Sequence, residues 1–128
     1  MSTLTGLRAA LDTVLTGGGL RTADHLPERV VPPLAIIGAG SPYVESGERF
    51  GTFAVRFTVF LVAARAANQT STAELDDLVT RAVAAVMDAP GWGVERVDQP
   101  SMLDTGGAQY LSTTLDLITT SPLEPEEV

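Results

Sequence analysis

The stretch FAVRFTVFLVAAR, residues 53–65, decides the fold. Phe53, Val55, Phe57, Val59, Leu61 and Ala63 fall on every second position, the spacing that puts side chains on one face of a β-strand. Thr52, Arg56 and Thr58 begin the opposite face, which turns apolar at Phe60 and Val62. The first half of the strand is therefore predicted to have one buried and one solvated face, the second half to be covered on both. Thirteen residues at about 3.3 Å each span roughly 43 Å. A chain of this length folds to a diameter of roughly 36 Å, so the strand is expected either to bend or to reach a neighbouring subunit.

Upstream, Leu34–Gly38 is a short apolar run that reads as a buried strand, entered through Pro32 and Pro33. Residues 39–51 hold Gly40, Pro42, Gly47 and Gly51 and are expected to form a loop that exposes Glu45 and Glu48. Leu20 to Ala23 is a candidate short strand. At the N-terminus Leu4, Leu7, Leu11 and Val14, with Leu15 beside them, make one stripe of 3.6-residue period. Ser2 or Thr3 supplies a capping hydroxyl, and Gly17, Gly18 and Gly19 end this helix.

Downstream, Asn68 to Thr72 reads as a turn, and Ser71 with Glu74 forms a capping box. A second helix follows, with Leu75, Leu78, Val79, Ala82, Val83 and Val86 on its apolar stripe and Asp76-Asp77 in its first turn, where negative charge suits the dipole. It stops over Asp88–Gly93. Val94–Asp98 and Gln109–Thr120 are two further strands, separated by a loop that holds Pro100, Gly106 and Gly107. The predicted fold is α+β and two-layered: a mostly antiparallel sheet of about four to five strands with two amphipathic helices packed on one face.

Composition limits the function. The chain has 128 residues, suited to a single core, and 45% apolar residues, which excludes disorder throughout. Sixteen acids oppose eight bases, all arginine, and the formal charge of −8 argues against a basic nucleic-acid groove. Glu124, Glu126 and Glu127 lie in the closing SPLEPEEV. Residues 121–128 are thus expected to be an acidic, proline-containing, disordered tail on a single domain of residues 1–120. Without cysteine there is no disulfide framework, thiolate zinc site or thiol nucleophile. The N-terminus lacks the pattern of a secretory signal. The most apolar stretch, Phe53 to Ala67, is broken by Arg56 and Arg65, short of the roughly 20 residues a membrane helix needs. A soluble, intracellularly made domain with no membrane partner is expected.

Three fragments resemble chemistry. Asp104-Thr105-Gly106 is similar to the active-site triplet of dimeric aspartic proteases, in which two carboxylates share a proton. That fold needs many strands after the triplet, and only 22 residues follow Gly106, so a glycine-rich turn before the last strand is the simpler reading. Ala35 to Gly40 resembles the opening of a dinucleotide-binding turn, yet Pro42 follows and no helix N-terminus is there to meet a pyrophosphate. Asn68-Gln69-Thr70 matches a glycosylation acceptor without a secretory signal. His25 is the only histidine and lacks partners for a metal site or a triad. No catalytic, cofactor or metal residue is assigned.

Taken together, the N-terminal helix ending in GGGLR, the VVPPLAIIG segment and the long strand FAVRFTVFLVAAR set up a pattern that the helix ELDDLVTRAVAAVM and the closing GGAQYLSTTLDLI complete. That order and spacing, over roughly residues 3–120, resembles the tail terminator proteins of long-tailed bacteriophages, particularly those of actinobacteria. The resemblance implies a structural virion protein, not an enzyme, that assembles as a hexameric ring on the head-proximal end of the tail tube. It implies the tail tube protein, head-completion or connector proteins and the tape measure protein as partners, and DNA passing through without specific binding. Acidic walls repel phosphates. Glu45, Glu48, Asp98 and Asp104 are the acids expected to face that lumen.

Rival readings are another neck component, such as a head–tail connector or closure protein, and a tail tube subunit. From other classes come a small aspartic-type peptidase using Asp104 and a small-ligand binding module.

Overall fold

Phe53–Arg65 is one strand, at the centre of a computed structural model that describes residues 3–23, 25, 27, 30–65, 69–105 and 107–124. In chain order the elements are α1 (Leu4–Gly17), β1 (Thr22–Ala23), β2 (Leu34–Ser46), β3 (Phe53–Arg65), α2 (Gln69–Asp88), β4 (Trp92–Val97), β5 (Ser101–Thr105) and β6 (Ala108–Ser121). They build a six-stranded sheet in the order β1-β2-β3-β6-β4, with β5 also paired to β6. Among the described residues only the β1–β2 pair is parallel. The fold is α+β, as the sequence pattern predicts.

The alternation along β3 sorts the sheet into two faces. Val55, Phe57, Val59, Leu61 and Ala63 are fully buried with Ala35 and Ile37 of β2, Leu115 and Leu117 of β6, and the apolar stripes of both helices. Leu7, Leu11 and Leu15 come from α1, and Leu75, Leu78, Ala82 and Val86 from α2. On the opposite face, Leu34, Ile36, Val62 and Tyr110 join Val30 in a second, smaller cluster at one end of the sheet. Among the described residues no helix covers the rest of that face. Among the described residues no helix is long and apolar enough to cross a membrane.

Several boundaries differ from the expected ones. The strand after Pro33 does not stop at Gly38. β2 runs on to Ser46, and residues 40–43 form a bulge opposite Arg56, between the Ala39–Phe57 and Val44–Val55 pairs. Proline is tolerated in a bulge because no ladder donor is required there. Gly40 is needed for a different reason: a Cβ on it would lie 2.6 Å from the Arg56 Cβ. The expected loop of residues 39–51 thus shrinks to a hairpin turn. Both edges of β3 are paired within its own chain, to β2 on one side and β6 on the other. Register shifts in β2 and near its own end, between Val62 and Arg65, are the irregularities that bend such a ribbon.

α1 is capped as expected: the Thr3 hydroxyl accepts from the Gly6 N–H at 2.9 Å, and Gly18 closes the helix. α2 starts at Gln69, before the Ser71–Glu74 motif, so that motif lies inside the helix and is not its cap. Asp76 and Asp77 consequently sit beyond the first turn; Asp77 pairs instead with Arg81, one turn on, at 2.9 Å. The loop expected between the last two strands contains β5, which forms a hairpin with β6 from Thr105–Ala108 to Ser101–Ser112. β6 runs one residue past the expected domain end. Ser121 pairs with Phe53, and Leu123 packs against the main core. Ser2, Asn68, Gly106 and residues 125–128 lie outside the described residues.

Candidate functional site

The face of the sheet that carries no helix holds a network of charges in two rungs. In the first, Arg56 on β3 donates from Nη1 to Glu45 on β2 at 2.5 Å and from Nε to Glu95 on β4 at 2.9 Å, spanning the intervening β6. Hydrogen bonding to Glu45, and then to Glu95, raises the Arg56 pKa above its ordinary value against the opposing effect of desolvation. In the second rung, Asp116 on β6 accepts from the Thr58 hydroxyl at 3.0 Å and from Arg96 Nε at 2.9 Å. Arg96 also lies 3.2 Å from Asp98, whose other oxygen accepts from the Thr114 hydroxyl at 2.6 Å.

Two arginines thus meet four carboxylates, and the network retains a surplus of negative charge. Alternation explains how β3 and β6 contribute, since Arg56, Thr58, Thr114 and Asp116 lie on the positions opposite the core. β4 contributes through an irregularity: its register shifts between Val94 and Arg96, so the consecutive residues Glu95 and Arg96 both reach the same face.

The four acids expected to share a lumen are not gathered in one place. Glu45 and Asp98 both belong to the network, each held in an ion pair. Glu48 lies in the β2–β3 turn at one end of the sheet. Asp104 lies at the other end, opposite Gln109 on β6. The Phe53–Ser121 pair beside that turn and Gln109 are separated by twelve steps of β6, about 40 Å. The sequence reading missed Glu95 and Asp116 as network carboxylates and Arg56 and Arg96 as their partners. The interruption of an apolar strand by Arg56 was the available signal.

Asp104 is exposed at the end of β5, and among the described residues its side chain makes no ion pair or hydrogen bond. Gly38 and Gly40 lie within β2 rather than at a strand-to-helix turn, which removes the geometry a dinucleotide would require. Among the described residues no group of three or more His, Asp or Glu side chains is placed to hold a metal ion.

Two further features lie away from the network. The β2–β3 turn presents Phe50 fully exposed to solvent. A cavity of about 350 Å³ is lined by Ile36, Gly38, Phe60 and Leu103, with Arg8 and His25 among its walls. Neither a known protein-family model nor a curated protein sequence matches this chain.

Proposed function

We propose that this chain is a structural subunit of a bacteriophage tail, a tail terminator that closes into a six-membered ring on the head-proximal end of the tail tube. The observation that carries the reading is the two-faced sheet. One face is packed by α1 and α2, and the other, away from the Val30 cluster at one end, carries two arginines among four carboxylates. Repeated around a ring with that face inward, the surplus carboxylates line a channel that DNA traverses without adhering, because like charge raises the cost of phosphate contact. Glu45, Glu95, Asp98 and Asp116 are then the lumen-facing acids. Glu48 and Asp104 lie outside that cluster, at opposite ends of the sheet. Identical subunits that meet through two different patches close into such a ring when the rotation between them allows.

Polymerisation of the cognate tube protein tests the reading. Added at substoichiometric amounts, a terminator shortens the tubes and is found at one end. Incorporation along the tube wall would make it a tube subunit instead, and tubes of unchanged length without bound chain would contradict the proposal.

A further inference from the structure

The geometry points to a knob-and-socket contact between two copies of this chain: Phe50 of one copy enters the apolar cavity walled by Ile36, Gly38, Phe60 and Leu103 on the next. The inference rests on the ring reading and supplies the contact that closes the ring.

The knob is built, not frayed. Gly47 N–H donates to the Thr52 carbonyl at 2.9 Å, and Thr52 donates to the Arg49 carbonyl from its N–H at 3.0 Å and from its hydroxyl at 2.7 Å. Gly51 adopts the left-handed backbone, φ +86°, that a turn this tight requires. An ordered turn that holds a benzyl group fully in water presents apolar area of the kind found in interface anchors.

The socket is large enough and apolar. Its volume of about 350 Å³ admits an aromatic side chain, and Phe60, 37% exposed on the sheet face, offers a ring to stack against. Phe50 cannot fill the socket of its own chain. Phe53, at the base of the turn, and Phe60 are seven residues apart on one strand, about 23 Å, with the turn projecting the other way. The charges agree as well. Glu48 precedes the knob by two residues, and the socket wall carries the Arg8 guanidinium. Arg49 lies between Glu48 and Phe50, and Asp104 is the residue next to Leu103 on β5. Knob and socket are different patches of one surface, so each docking leaves a free knob and a free socket, the requirement for a head-to-tail ring.

The chain has no cysteine, so single-cysteine variants report the contact directly. Phe50→Cys mixed with Phe60→Cys under a mild oxidant should form the mixed disulfide at least tenfold faster than Phe50→Cys mixed with Met87→Cys, an exposed position on α2. Leu103→Cys in place of Phe60→Cys should behave alike. Equal rates for the two mixtures would overturn the inference, as would cross-linking of Phe50→Cys to tube protein alone. Phe50→Ser, with an unchanged circular dichroism spectrum, should lose the assembly. If it still forms rings, the contact is overturned and the ring reading stands; if the wild-type chain stays monomeric beside tube protein, both fall.

Discussion

Replacing Phe57 with alanine removes the side chain at the middle of the core face. Its ring is fully buried, lies 5.8 Å from Tyr43 edge-on at 78° and 6.0 Å from Trp92, and carries the Arg8 guanidinium 5.7 Å above its centroid. Truncating a buried Phe costs about 3–5 kcal/mol, because the lost transfer free energy and the cavity add. Phe57→Leu keeps most of the volume and isolates the ring itself. Two aromatic contacts at about 0.5–1.5 kcal/mol each, with a cation–π contact at about 0.5–1, put its cost on the order of 2 kcal/mol. Phe60, three residues along and on the opposite face, is 37% exposed, so Phe60→Ala should cost less, about 1–2 kcal/mol. Urea unfolding with linear extrapolation measures all three, with m unchanged if the denatured state is unaffected. The ranking Phe57→Ala above Phe57→Leu is expected, with Phe57→Ala also above Phe60→Ala. A one-residue slip of β3 would exchange its faces, so Phe60→Ala costing more than Phe57→Ala would refute the register. A cost below about 1 kcal/mol for Phe57→Ala would refute its place in the core.

Gly40→Ala sets a Cβ 2.6 Å from the Arg56 Cβ and 2.8 Å from its carbonyl carbon, with backbone that has little room to yield. A loss of about 1–3 kcal/mol in thermal or urea unfolding is expected. Thr3→Ala deletes the acceptor for the Gly6 N–H and should cost about 1 kcal/mol, read as earlier fraying of α1 by hydrogen exchange. Arg56→Gln leaves Glu45 and Glu95 without their shared cation and should lower the melting temperature. That loss should shrink at about 1 M salt, where the screening length falls to about 3 Å; a salt-independent loss would mean that packing, not charge, is what Arg56 supplies.

The parts of the fold that local patterning specifies were visible in the chain. β3 announces itself through six apolar residues at every second position, and α1 through a leucine stripe bracketed by a hydroxyl and three glycines. What pairing across the sheet decides was not. Residues 39–46 look like a loop because they hold Gly40 and Pro42, and only the bulge opposite Arg56 reconciles those residues with a strand. β5 is five residues between Pro100 and Gly106, and its strand character comes from its partner β6 more than from its own side chains. The Ser71–Glu74 motif looked like a helix start, although α2 had already begun at Gln69.

The site divides in the same way. Arg56 stood out as a charge that interrupts an alternating strand. Glu95 and Arg96 could not be joined to it, because a bulge in β4 breaks the period that sequence reasoning relies on. Phe50 and its turn carry no periodic signal at all. Their importance comes from exposure, which depends on where the rest of the chain packs.

Particle mass, read together with negative-stain images, tests the central claim most directly. A closed ring of six 13.4 kDa chains has a mass of about 80 kDa and a stain-filled central hole, and this is the species expected for the chain alone or at the end of a tail tube. A single species of 13.4 kDa that persists in the presence of tube protein would contradict it.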